Sequence, residues 1–476
     1  MKLSKNKFYI FALVIYTCLS LYLINLDNNK VVGDSLENIN ITFNLHNQNT
    51  FSYTIYKNET FKTNFREPLY PFLLSIFIKI LPLEFNSLDD LLFNIKYLKI
   101  FNIFIIIILY LSIIYIARDL KFNNFIKSII ILFTLFGIYF SSINVFLTEV
   151  IAANLLLLHS YFYLKYSYKK KFNLLIISLI FLLLLVFTKS IFYYWLYIFI
   201  IINILYFVLY KINFKNIIIL FLIALVPFSW QYRNYKEFGN FEFSSKERSI
   251  LALSARVNLS NLSFEEYFNS YFYYNPFLKY LLNYKNETKL NDLNIKGYYL
   301  TSHKYPFTKL NHKKINEVND EILNNIIYEY KHKFNNNYLN NSNNTEINKR
   351  LQKILIKEYF NNLDKNILLI PSMFFRMSNL NSGDSIYYLS NNYLLKTYSI
   401  IILFISQLFF LLSIFIFFFK FRSIIANKSI YFMLPSLFYL FFYSIFSMGL
   451  PRFGTVVFPC LLLFIFISHI KISEKN

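Results

Sequence analysis

Cysteine is nearly missing from this 476-residue chain: there are two, Cys18 and Cys460, and both lie inside apolar runs. Neither a disulfide scaffold nor a cysteine-built metal framework is implied by such a pair. The six histidines are scattered without metal-ligand spacing, so they point to no metal centre either. Glycine, proline and arginine are scarce too, at seven, ten and nine residues, while isoleucine, phenylalanine, tyrosine, asparagine and lysine dominate. AT-rich codon usage accounts for that bias without reference to a fold. A glycine, proline or arginine that stands against it therefore carries more information than another asparagine or lysine. Also missing is a small-residue cleavage site after the first apolar run, FYIFALVIYTCLSLYLINL, which follows the basic MKLSKNK. The N-terminus reads as an uncleaved signal anchor.

What the chain has in abundance is apolar length. It is 56% hydrophobic and 21% aromatic, and its apolar residues gather in runs of about 17 to 25, the length that crosses a bilayer. Runs at 8–26, 98–118, 128–144, 146–165, 172–188, 191–210, 215–231, 397–420, 429–448 and 455–471 predict an all-α polytopic membrane protein with about ten transmembrane helices. The net charge of +22 could suggest nucleic acid until the cations are placed. With a cytoplasmic N-terminus, one side of the membrane collects Lys2, Lys5 and Lys7, Arg118, Lys121 and Lys127, Lys165 and Lys169 to Lys171. The same side takes Lys211, Lys215, Lys420, Arg422, Lys428, Lys471 and Lys475. The short outer turns carry only Lys189 and Arg452. This is the positive-inside asymmetry, which explains much of the basic excess without a nucleic-acid partner and leaves membrane lipids as the expected surroundings.

Three regions follow: a membrane domain over 1–231 with a first outer loop at 27–97, an outer segment at 232–396, and membrane helices with a short cytoplasmic tail over 397–476. Both termini are expected in the cytoplasm. Within the first loop, Leu69 to Ile80 is short for a span and is followed by Pro82, so an interfacial helix is expected there. A full span would invert every later loop. The 232–396 segment is polar and Asn-rich and reads as a mainly α-helical extramembrane domain.

Once the topology is set, the rare residues fall on the outer face. They are Gly33 and Asp34 (VVGDSLEN); Arg66, Glu67, Pro68 and Pro71 (NFREPLYPFLL); Thr148 and Glu149 (FLTEV); Thr188 and Lys189 (FTKS); Pro227, Trp230, Arg233 and Gly239 (VPFSWQYRNYKEFG); and Gly449, Pro451, Arg452, Gly454 and Pro459 (GLPRFGTVVFP). Any one of them by itself is explained as a helix breaker or a snorkelling anchor. Six groups on one face suggest instead that Asp34, Glu67 and Glu149 converge with Lys189, Arg233 and Arg452. Carboxylates can take a hydroxyl proton or hold a divalent cation, and guanidinium and ammonium groups bind phosphate oxygens.

In their order along the chain, GDS, REPLYPFLL, TE, P-x-x-W-x-x-RN-x-x-x-FG and RFGTVVFP resemble the motifs of the GT-C polytopic glycosyltransferases. The resemblance is to the dolichyl-phosphate-mannose-protein mannosyltransferase and lipid-A aminoarabinose transferase group, and it spans Gly33 to Pro459. It implies transfer of a sugar from a polyprenyl-phosphate donor to a lipid, glycan or protein acceptor on the exoplasmic or periplasmic side of the inner membrane. It places the catalytic aspartate on Asp34 and a second acidic residue on Glu67; Arg66, Tyr70, Glu149, Lys189, Arg233 and Arg452 are then the expected substrate-binding residues. Asp34 would be the ligand of a divalent cation, Mg2+ or Mn2+, where one is used. The chain departs from the family with Leu69 where a glycine is common, and with lysine at 189 where an arginine is common. Two other readings remain open: a transporter or flippase of lipid-linked glycans, and a glycan ligase or polymerase. Discontinuous central helices would favour the transporter; the sequence puts its prolines at the ends of the apolar runs instead.

Overall fold

The computed structural model describes residues 2–26, 31, 34–54 and 60–244 apart from 65, 82–83, 210–213 and 240, then 253 and 256–257, and 352–468 apart from 354, 379, 381–392 and 447–450. Most of the expected extramembrane domain, and Gly33 and Gly449, lie outside these residues. In chain order the elements are α1 (Lys2–Leu26), α2 (Asp34–Gln48), a hairpin of β1 (Ser52–Thr54) and β2 (Thr60–Lys62), α3 (Leu69–Ile80), α4 (Leu88–Phe93), α5 (Ile95–Asp119) and α6 (Asn124–Phe133). There follow α7 (Glu149–Lys169), α8 (Phe172–Thr188), α9 (Phe192–Leu209), α10 (Phe214–Phe238), α11 (Leu363–Met377), α12 (Tyr393–Phe419), α13 (Phe421–Ala426), α14 (Ile430–Phe446) and α15 (Pro451–Ile467).

Local chemistry sets many of these boundaries. Pro68 occupies the cap of α3 and Pro71 its first turn, where the missing amide donors would have had no helical partner. Ser87 opens α4 by accepting from the Asp90 amide at 3.1 Å, and Asn123 opens α6 by accepting from the Ile126 amide at 2.9 Å. Lys170 closes α7 in a left-handed conformation, φ 52°.

Among the described residues, four helices are long and apolar enough to cross a membrane: α5, α9, α10 and the 401–419 part of α12. The other apolar helices carry shorter described apolar stretches of 10–17 residues, Phe8–Ile24 of α1 among them. The third apolar run is not one straight helix. After α6 the chain passes through a π-helical turn at Thr134–Ile138 and a 3-10 turn at Phe140–Asn144, with Gly137 in a non-helical conformation. Ile402 of α12 presses on that glycine, where a β-carbon would lie 2.9 Å from its Cγ2, and such contacts and insertions break a helical ladder. The prolines are not confined to run ends either. Pro227, Pro435 and Pro459 sit inside α10, α14 and α15, because these helices continue past them, α10 as far as Phe238.

α7 is the central element. It is buried on every side, Ala152 and Ala153 included, as expected of a helix enclosed by others. α8, α15, α5 and α14 pack around it. α11 crosses α15 so tightly that a β-carbon on Gly454 would lie 2.0 Å from the Met377 carbonyl oxygen. Only glycine permits that approach.

Candidate functional site

α7 and α8 are antiparallel neighbours, so the first residue of α7, Glu149, and the residue after α8, Lys189, come to the same end of the bundle. Lys189 donates to Glu149 Oε1 at 3.0 Å, and both side chains are buried. The helix dipoles favour this arrangement, an anion at an N-terminus and a cation at a C-terminus.

Arg452 lies in the first turn of α15, where the dipole opposes a cation. Two carboxylates offset this: its Nη2 donates to Asp34 Oδ2 at 2.7 Å, and its Nε stands 3.9 Å from Glu149 Oε1. The other oxygen of Asp34 accepts from Arg66 Nη2, and Arg66 Nε donates to Glu37 Oε2 at 2.6 Å. Burial disfavours the charge on Arg66, but Asp34, Glu37 and Glu67 together outweigh it and raise its pKa well above the ordinary arginine value. Glu67 Oε1 accepts from the backbone amide of Ser190 at 3.1 Å and from its hydroxyl at 3.0 Å. A continuous chain of ionic contacts thus runs from Glu37 through Arg66, Asp34, Arg452 and Glu149 to Lys189. Glu67 is tied to the next turn.

α2 and α7 are held in register by the segment between them in space, residues 143–147. Ser35 Oγ accepts from the Phe146 amide at 3.1 Å, and Asn38 Nδ2 donates to the Phe146 carbonyl at 2.8 Å. From the other side Asn102 of α5 donates to the Ile143 and Val145 carbonyls at 2.9 and 3.0 Å and accepts from the Tyr70 hydroxyl at 2.9 Å. The bent stretch before α7 matters here too, since Tyr139 reaches from it to donate to the Thr455 carbonyl of α15. Tyr70, Asn102, Ser142 and Glu149 help line a cavity of about 10 Å³, room for a single water. Among the described residues, Glu149 Oε2 is buried with no hydrogen-bond partner, and so is Arg452 Nε.

Of the residues singled out in the sequence, Asp34, Arg66, Glu149, Lys189 and Arg452 meet in this cluster, with Glu67 at its edge. Tyr70 is buried beneath it and engaged with Asn102. Arg233 stands apart. Its guanidinium donates to the Thr63 carbonyl at 2.8 Å and the Phe51 carbonyl at 3.2 Å, and packs on Trp230 at 5.0 Å, so it clamps the base of the hairpin to α10. Glu37, Ser190 and Asn102 belong to the site without having been marked in the sequence. The spacing of Asp34 and Glu37, three apart on one helix face, was the available signal for the first. The residues do not fit a divalent cation: both Asp34 oxygens are taken by guanidinium groups, and among the described residues no three His, Cys, Asp or Glu side chains group to hold one.

Comparison of the chain with protein-family models, with curated proteins and with solved structures finds no match.

Proposed function

We propose that the chain is a membrane glycosyltransferase of the GT-C type, crossing the inner membrane about ten times and moving a sugar from a polyprenyl-phosphate donor to an exoplasmic acceptor. The bent 124–144 segment would make the third crossing. One observation carries the reading: Asp34, a carboxylate about one-third open to the surface, is bracketed by Arg66 and Arg452, residues from distant parts of the chain. On this reading a general base, Asp34, and a phosphate-binding cation, Arg452, share one end of a helical bundle.

In the reaction the acceptor hydroxyl attacks the anomeric carbon and gives its proton to Asp34. The bond from that carbon to the phosphate oxygen breaks, its electron pair leaving with the polyprenyl phosphate, and the configuration inverts. Arg452 is placed to stabilise the charge that develops on the leaving phosphate, which is where electrostatic catalysis acts. Arg66 orients Asp34, and Glu149 and Lys189 hold Arg452 and its helix in place. Glu67 fixes the Lys189–Ser190 turn. The test is incubation of purified protein with a panel of polyprenyl-phosphate sugars and acceptor lipids or glycans. Consumption of one donor with release of polyprenyl phosphate supports the reading, and no consumption across the panel refutes it.

A second reading, a carrier of lipid-linked glycans, is favoured by the interrupted helix at 134–144 and by the prolines inside α10, α14 and α15. Movement of a lipid-linked sugar across liposomes without bond cleavage would select it.

A further inference from the structure

We propose that an incoming phosphate ester displaces Asp34 from Arg452, so that donor binding itself releases the general base and must precede acceptor binding. This rests on the glycosyltransferase reading above. Four carboxylates, Asp34, Glu37, Glu67 and Glu149, lie among three cations, Arg66, Lys189 and Arg452, and each of the three cations already faces a carboxylate. A phosphate added beside an intact cluster would meet like charge. A phosphate exchanged for Asp34 on Arg452 meets a cation instead, and Asp34 moves away from it.

Exposure marks the place of the exchange. The side chains of Arg66, Lys189 and Glu149 are 6%, 5% and 4% exposed, whereas Arg452 and Asp34 are 22% and 30% exposed. A ligand arriving from outside reaches the Asp34–Arg452 pair first. Arg452 holds Asp34 through Nη2 at 2.7 Å, and phosphate, with several acceptor oxygens, offers a guanidinium more hydrogen-bonding partners than a carboxylate does.

The resting arrangement also leaves two buried polar atoms unmatched in the same spot, Arg452 Nε and Glu149 Oε2, and such atoms call for an explanation. The distance of 3.9 Å from Nε to Glu149 Oε1 lies just outside hydrogen-bonding range. A guanidinium turned from Asp34 toward a phosphate can close it, which gives Arg452 two arrangements rather than one. Asp34 would keep its bond to Arg66 through Oδ1, leaving Oδ2 oriented and able to accept a proton. The leaving phosphate becomes a monoester, which carries more negative charge than the donor diester and so holds Arg452 more firmly once the sugar has moved.

The test uses full-length protein in detergent and polyprenyl phosphate as the probe. Asp34→Asn, which keeps the shape but removes the competing charge, should bind the probe roughly tenfold tighter or more than wild type, the scale of one charge-assisted hydrogen bond. Equal or weaker binding overturns the proposal. On wild-type protein, carbodiimide labelling of Asp34 read by mass spectrometry should rise when the probe is added, and unchanged or reduced labelling overturns it independently of the variant's folding. If wild type transfers sugar while Asp34→Asn shows no gain in affinity, the exchange is wrong and the glycosyltransferase reading stands. If wild type neither binds the probe nor transfers sugar, both fall.

Discussion

Replacing Lys189 with methionine removes the cation from a buried pair while keeping most of its volume. At an effective dielectric of about 20, the Lys189 ammonium 3.0 Å from Glu149 Oε1 supplies about 5.5 kcal/mol of gross attraction. Arg452, 3.9 Å from the same oxygen, retains about 4.3 kcal/mol after the change. Breaking a buried pair by removing one partner costs about 3–5 kcal/mol, because the other charge stays buried. The remaining arginine places Lys189→Met at the lower part of that range, about 3–4 kcal/mol. Converting both partners, Lys189→Met with Glu149→Gln, removes the stranded charge and should return stability to within about 1 kcal/mol of wild type. For a chain of 476 residues the unfolding entropy corresponds to about 1 °C of midpoint per kcal/mol. The single variant should therefore melt about 3–4 °C low and the double variant about 1 °C low or less. Tryptophan fluorescence in detergent reads both, with Trp195 buried on the helix that follows Lys189. A single variant that melts no lower than the double would show that these charges are not coupled.

Four further outcomes follow from the geometry. Asp34→Asn should lower transfer by about 10² to 10⁴-fold with insertion unchanged, measured as polyprenyl phosphate released by purified protein. Gly454→Ala forces a β-carbon to 2.0 Å from the Met377 carbonyl oxygen and should cost about 1–3 kcal/mol or part α11 from α15, seen as a lower melting midpoint. Asn102→Ala strands the Tyr70 hydroxyl and loosens the Ile143 and Val145 carbonyls. It should cost about 2–4 kcal/mol and reduce transfer through Glu149, measured by melting and by turnover. Arg233→Ala should free the hairpin base, raising protease nicking between Phe51 and Thr63 on gels, while transfer falls by less than about tenfold.

The sequence was most legible where composition made a residue rare. Arg66 and Arg452 stood out for that reason, and they do meet at Asp34. Arg233 stood out equally and was expected to converge with them, but it holds the Thr63 and Phe51 carbonyls instead, and Trp230, one helical turn before it, forms a cation–aromatic clamp with it. Glu37 was signalled only by its spacing from Asp34, and Asn102 was hidden because asparagine is plentiful and no pattern in the sequence separates an asparagine that bonds two carbonyls from one in solvent. α3 emerged with the bounds its flanking prolines and apolar content suggested. The third apolar run misled because a hydropathy window registers apolar content and not backbone path. Gly137, one of seven glycines, was the sign that the helix would break.

The salt bridge between Asp34 and Arg452 joins residues 418 positions apart. At about 5–20 residues per second, a ribosome that has made the first partner needs on the order of 20–80 s to deliver the second. During that interval the aspartate has only its early neighbours, and α15, made last of the described helices, is the one that completes the constellation. On the glycosyltransferase reading, a nascent or truncated chain ending before Pro451 would lack the arginine that receives the leaving phosphate and would transfer no sugar.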